Sequence, residues 1–215
     1  MNWDRYNSLI SRCSFNAEFF RGTWQDLSPA QRTMTAVGAP TWSMINGLPA
    51  LQGSAGNGAT TAAVASIINT TQPFWVEVCF RWPASVTFVY VMFQQSAGGW
   101  SLACNGAQLQ LYTYTAVPAN ARYITSPASS FRYNTQHHAI AYIDPVGLTG
   151  MFWINGVPVA ATFTNTNPPV VCANTTFRTG TTQGTAIARV WQGTPSNEDA
   201  QACYQQAKLL VGGEV

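Results

Sequence analysis

Residues 73–83 read PFWVEVCFRWP, and this stretch decides the fold class. Phe74, Val76, Val78, Phe80 and Trp82 alternate with Trp75, Glu77, Cys79 and Arg81. Successive side chains of a strand point to opposite sides, so the spacing gives one wholly apolar face and one mixed face. The stretch is a strand laid over a core.

Working outward, TFVYVMFQQ (87–95) reads as a second, more fully buried strand, and GWSLACNGAQLQLYTYT (99–115) as a hairpin. Its Asn105-Gly106 pair is the dipeptide favoured in a tight type I′ turn. HHAIAYID (137–144) and GMFWINGVPVAA (150–161) continue the series, the latter with a tight turn at Asn155-Gly156; TTFRTGT (175–181) and TAIARVWQG (185–193) close it. Upstream, residues 13–53 alternate short apolar runs with turn signals at Gly38-Ala39-Pro40 and Asn46-Gly47, and Ser28-Pro29 opens one helical turn. Residues 54–63 read as a flexible connection, and 118–127 and 164–171 as long surface loops. Short strands at short spacing predict an all-β, antiparallel β-sandwich of jelly-roll type filling one domain, residues 1–215.

After the last strand the chain changes character. Residues 194–208, TPSNEDAQACYQQAK, predict one short C-terminal helix. Ser196 is its N-cap, Asp199 completes a capping box, and Glu198 and Asp199 sit where the helix dipole favours negative charge. Lys208 falls toward the opposite end. Ala200, Cys203, Tyr204 and Ala207 recur at i, i+3, i+4 and i+7, an apolar stripe to lay against the sandwich.

Of the 215 residues 47% are hydrophobic and only 8% charged, so the surface is built from Thr, Asn, Gln, Ser and Gly. Nine arginines and one lysine are scattered singly and the net charge is +2, which argues against a nucleic-acid partner. Arg in preference to Lys suits a surface packed against a partner. The N-terminus shows no signal-peptide pattern, and no run of about 18 apolar residues occurs. A chain neither exported by the usual signal nor membrane-spanning is expected. Five dispersed cysteines without a CxxC motif predict buried free thiols rather than disulfides or a zinc site.

These strands, in this order, resemble the concanavalin A-like (laminin-G-like) lectin/glucanase jelly rolls. FWVEVCFRWP, GWSLACNGAQLQLYT, HHAIAYID with MFWINGVPVA, and FRTG followed by IARVWQGTPSNEDAQACYQ carry the resemblance. The opening segment from CSFNAEF to GLPALQG joins them, so the likeness spans about residues 12–206. Cys79 stands where that family usually has Trp. The resemblance implies the concanavalin A-like sandwich and leaves lectin, glycosidase and structural module open.

A retaining glycosidase needs two carboxylates about 5.5 Å apart and an inverting one roughly 6.5–9.5 Å. The eight acids are Asp4, Glu18, Asp26, Glu77, Asp144, Glu198, Asp199 and Glu214, and no two share a strand at even spacing. Glu77 reads as scaffold, no catalytic residue is expected, and the chain is read as a non-enzyme. His137 and His138 fall on opposite faces of one strand, one ring packed and one exposed, so they form no metal site. No cofactor is expected. Calcium has Asp144 and Asn155 at strand ends, but no acidic cluster joins them.

Gln108, Gln110, Tyr112 and Tyr114 share one face of their strand, with Leu109 and Leu111 on the other. These four are the candidate ligand or interface residues. Three readings follow in order of preference. The first is a structural component of a bacteriophage virion (capsid decoration, fibre or tail), multicopy or homo-oligomeric, bound to other assembly proteins. The second is a carbohydrate-binding, lectin-like module for surface glycans. The last is a glycoside hydrolase. The expected location is the virion, with the cytoplasm or non-classical export as the alternative.

Overall fold

The computed structural model describes residues 3–23, 25–53, 58–61, 67–82, 88–94, 98–114, 121–164, 168–172, 177–179 and 184–211. In chain order the elements are α1 (Trp3–Ile10), β1 (Phe15–Glu18), β2 (Met34–Val37), β3 (Thr41–Ile45), β4 (Leu48–Gln52), β5 (Gly58–Thr61) and β6 (Phe74–Arg81). There follow β7 (Val89–Gln94), β8 (Trp100–Asn105), β9 (Gln108–Tyr114), β10 (Ala121–Thr125), β11 (Gln136–Asp144) and β12 (Thr149–Ile154). The chain closes with β13 (Val157–Ala160), β14 (Thr162–Thr164), β15 (Phe177–Thr179), β16 (Thr185–Gln192) and α2 (Asn197–Val211).

These strands make two antiparallel sheets of eight. The first runs β13-β12-β11-β6-β16-β4-β3, with β1 also paired to β16; the second runs β14-β10-β9-β8-β7-β15-β5-β2. The sheets face each other as a sandwich. Phe74, Val76, Val78 and Phe80 of β6 point into the core between them, as the alternation predicts. Rings meet across the gap: Phe74 lies 5.8 Å from Trp100 of β8, and Phe15 of β1 lies 4.4 Å from Phe177 of β15.

The mixed face of β6 is also buried, under a layer of helix. α2 and α1 lie on the outer face of the first sheet, where Trp75, Ile140, Trp153 and Trp191 pack with Tyr6, Leu9, Ala200 and Cys203. Trp75 and Trp191 are stacked, with centroids 3.9 Å apart and planes 7° apart, and the Trp191 indole N–H donates to the Leu9 carbonyl at 3.0 Å. The predicted stripe of α2 is the buried one, with Ala200, Cys203 and Ala207 inaccessible. Its capping box is formed in full. The Ser196 N–H donates to Asp199 Oδ2 at 2.9 Å, and the Asp199 N–H donates to Ser196 Oγ at 3.1 Å. Arg5 of α1 reaches the same cap, donating to Asp199 Oδ1 at 2.8 Å and Ser196 Oγ at 2.7 Å. Ser196→Ala is expected to cost about 1 kcal/mol, read as a lower urea midpoint with an unchanged slope.

Several expectations are corrected. The chain opens with a second helix, α1, which the sequence reading lacked. The stretch expected to be a flexible connection at 54–63 contains β5, whose Thr60 pairs with Arg178 and with Thr35. The loop expected at 118–127 contains β10, because the run Ala-Arg-Tyr-Ile-Thr finds a partner in β9. The loop expected at 164–171 begins inside β14, and residues 165–167 lie outside the described residues. Ser28-Pro29 forms a single turn, closed by the Gln31 N–H on the Ser28 carbonyl, and not a helix.

The hairpin at Asn105-Gly106 is shifted by one residue. Asn105 pairs with Gln108, so Gly106 and Ala107 form the loop. Gly106 has φ +58° and Ala107 is not in the left-handed region, the pattern of a type II′ turn. At Asn155-Gly156 both residues have positive φ, +50° and +78°, as a type I′ turn requires.

Candidate functional site

β16 organises the buried titratable residues. Arg189 is fully buried on the outer face of the first sheet, opposite Glu77 of β6 and Asn16 of β1. Its guanidinium donates to Glu77 Oε2 at 3.0 Å, to Glu18 Oε1 at 2.7 Å and to Asn16 Oδ1 at 2.9 Å. The Tyr6 ring of α1 covers it, 5.4 Å from the guanidinium carbon. Glu77 Oε1 pairs with His138 Nε2 at 3.0 Å, and Glu18 also accepts from Arg21 at 2.7 Å.

Burial alone would raise the Glu77 carboxyl, but the Arg189 charge and the His138 hydrogen bond outweigh it and hold the group down at about 2. Glu18 is held low by the same contest, burial against Arg189 and Arg21. Two carboxylates therefore do share one partner, although they lie on different strands. Both are locked as ionised partners of an internal cation, Glu77 with no exposure at all. A general acid must hold a proton near its working pH, which neither group is set to do.

Asp26 and Asp144 are structural too. Asp26 accepts from the backbone N–H groups of Asn16, Ser28 and Arg32 and pairs with the Arg32 side chain. Asp144 caps its own turn, accepting from the Val146 and Gly147 N–H groups. Asn155 accepts from the His138 N–H, at the far end of β12 from Asp144, so the two calcium candidates do not converge. Among the described residues no three His, Cys, Asp or Glu side chains gather as a metal site. The five cysteines are free and buried; burial pushes Cys13 and Cys79 up to about 12.

The histidines point to opposite faces, but neither is exposed. His138 meets Glu77 beneath α2, while the His137 ring packs edge-on against Phe131 and accepts from the Arg132 N–H at 3.1 Å. Burial lowers the His137 pKa.

The remaining candidate is the outer face of the second sheet, which carries no helix among the described residues. Gln108, Gln110, Tyr112 and Tyr114 lie there together. Tyr112 is half-buried and stacks between Tyr123 at 4.8 Å and Tyr114 at 6.0 Å. Tyr114 and Gln110 are 6% and 7% exposed, which makes them supports rather than contact groups. Tyr114 shares a hydrogen bond with Ser101 Oγ at 2.6 Å, and Gln110 accepts from Tyr112 and donates to Thr125. Gln108 donates to the Ser126 carbonyl at 2.8 Å. Burial raises the Tyr112 and Tyr114 phenols, so both remain donors at neutral pH.

Six further residues complete this face. The register places Tyr123, Tyr112, Ser101, Phe93 and Arg178 side by side across β10, β9, β8, β7 and β15. Phe88 is 40% exposed and stands edge-on to Tyr90 at 5.1 Å and Tyr112 at 5.9 Å. Tyr90 contacts Phe93 at 4.9 Å, and the Arg178 guanidinium sits 5.8 Å from the Phe93 centroid. Strict alternation would separate Tyr90 from Phe93. A bulge between Tyr90 and Met92 turns both outward, with Val91 and Met92 both facing the core. The one sequence signal for that bulge was the odd spacing of aromatics in FVYVMF.

No known protein-family model matches the chain, and no curated protein sequence does. Solved structures do match. The binding domain of botulinum neurotoxin serotype D has a TM-score of 0.72 at 12% identity, covering 95% of this chain and 53% of its own. The binding domain of Paraclostridial Mosquitocidal Protein 1 has a TM-score of 0.72 at 11% identity, covering 92% and 53%. A structure of botulinum neurotoxin type C, whose uptake into cells depends upon interaction with two ganglioside molecules, scores 0.70 at 10% identity, covering 93% and 52%. Likeness at such identity shows a shared β-sandwich fold. The chain spans about half the length of each of these structures.

Proposed function

We propose that this chain is a non-enzymatic interaction module of concanavalin A-like type, one domain throughout, that docks through the outer face of its second sheet. The observation that carries this reading is the asymmetry of the sandwich. One outer face is roofed by α1 and α2; the other presents Tyr112, Tyr123, Phe88 and Arg178, of residue types enriched where proteins meet. The toxin binding domains that share the fold add support for binding over catalysis. So does the capture of Glu18 and Glu77 by Arg189, which leaves no proton-donating pair there.

The partner we assign is a neighbouring protein in a bacteriophage virion, met in many copies at a capsid, fibre or tail surface. A chain with only 8% charged residues, its surface built from Thr, Asn and Gln, suits permanent packing in such an assembly. Mass spectrometry of purified particles should find the chain at stoichiometric level. The double variant Tyr112→Asp/Tyr123→Asp should fold, since both side chains are half-buried, yet drop out of particles at least tenfold. Recovery of the wild-type chain only from particle-free supernatant overturns the assignment. The second reading, a lectin-like module, draws on the exposed Phe88 beside Tyr112. It predicts glycan-array binding that Tyr112→Ala and Phe88→Ala abolish.

A further inference from the structure

A second region of the molecule is built to hold a ligand, on the opposite side of the sandwich from the aromatic face. A cleft of about 600 Å³ lies between the segment that precedes β11, the β12–β13 turn and the C-terminal half of α2. That volume is in the range of sites for small ligands. Its walls bring together Arg132, Lys208, Ser129, Ser130, Asn155 and Tyr204 and contribute no carboxylate.

The charge is the informative part. Four arginines elsewhere are held in ion pairs: Arg5 with Asp199, Arg21 with Glu18, Arg32 with Asp26, Arg189 with Glu77 and Glu18. Arg132 and Lys208 are exposed and have no ion-pair partner among the described residues, and they share one cleft. Arg81 lines the neighbouring groove, donating to the Asn134 carbonyl of the same segment at 3.0 Å.

The walls are also fixed in advance. The Arg132 N–H is tied to His137 Nε2 at 3.1 Å, and Asn155 Oδ1 is tied to the His138 N–H at 3.0 Å. Tyr204 is pinned from below: a Cβ on Gly156 would overlap its ring, and the His138 ring lies 5.6 Å away. The backbone at Arg132, the Asn155 amide and the Tyr204 ring therefore lose little freedom when a ligand arrives.

We infer that this cleft binds a carboxylated saccharide, its uronate group held by Arg132 and Lys208 and its hydroxyls by Ser129, Ser130, Asn155 and Tyr204. A guanidinium fork matches a planar carboxylate in two parallel hydrogen bonds. Hydroxyl and amide groups that can exchange hydrogen bonds with sugar hydroxyls flank it. The inference is independent of the docking role of the second sheet.

Isothermal titration of the full chain with tetragalacturonate tests it, with cellotetraose and inorganic phosphate as controls. Tetragalacturonate should bind at least tenfold more tightly than either control. Arg132→Gln/Lys208→Gln should weaken it at least tenfold, whereas Tyr112→Asp/Tyr123→Asp should leave it unchanged. Lys208 is the only lysine in the chain, so tetragalacturonate should also slow amine-directed labelling of that residue. The inference fails if tetragalacturonate does not bind, if cellotetraose or phosphate binds as tightly, or if the cleft variant binds as the wild type does. Loss of particle incorporation without loss of uronate binding, or the reverse, separates this site from the docking face.

Discussion

Replacing Arg189 with Met is expected to destabilise the protein by about 3–5 kcal/mol, the usual result of removing one partner from a buried ion pair. The cost arises from what stays behind. Glu77 and Glu18 would keep their burial and lose the cation that offsets it. Neutralising them as well, in Arg189→Met/Glu77→Gln/Glu18→Gln, should restore most of the stability, since replacing a whole buried charge set is often neutral. Urea melts of the three proteins measure this; a triple variant as unstable as the single one would show that shape, not charge, holds the site.

The same cluster sets the acid limb. Glu77 has its folded pKa depressed to about 2 from an ordinary value of 4.5. A depressed carboxyl contributes stability above its unfolded pKa and loses it as pH falls through the folded one. Wild-type stability should therefore fall between about pH 4.5 and pH 2. In Arg189→Met the sign reverses, because burial without the cation raises the carboxyl. That variant should gain stability as the pH is lowered from 7 toward 5.

Trp191→Ala is the second large effect, about 3–5 kcal/mol for emptying an aromatic site in a core. The residue is 2% exposed and stacked on Trp75, and its indole N–H holds the last turn of α1 through Leu9. The loss should be uneven. Backbone amides of α1 should exchange hydrogen with solvent much faster than those of β6, as expected of a locally released unit. Trp191→Phe keeps a ring in the stack and should recover more than half of the loss while α1 stays loosened. Equal acceleration in α1 and β6 would show that the indole is no clasp.

These two residues mark the boundary of what was legible in the chain. The alternation of β6 and the capping of α2 depend on neighbours in sequence, and both could be read directly. Arg189 finds Glu77 across 112 positions and Glu18 across 171, pairings set by strand order in the sheet, which no local pattern encodes. α1 escaped because WDRYNSLI is one polar, eight-residue helix whose only buried residues, Tyr6 and Leu9, matter once Trp191 is beneath them. The aromatic face was half read. β9 displayed its own Tyr112 and Tyr114, but Tyr123, Phe93 and Arg178 joined through register and a bulge. The carboxylate-free cleft draws on three separate segments, and only the assembled sheet and helix bring Arg132 to Lys208.

The pairing of β1 with β16 has a consequence for how the protein is made. Phe15 sits opposite Val190, and Arg5 waits for Asp199. At roughly 5–20 residues per second, an emerging β1 spends about 10–35 s without its partner strand. During that interval Phe15, Ala17 and Phe19, all wholly buried at the end, have no core to enter. Local hairpins, β3 with β4, β8 with β9 and β11 with β12, have partners that follow within a few residues and need not wait. β1 is thus made well before the strand it pairs with, and the nascent chain carries it as an exposed apolar thread until β16 emerges.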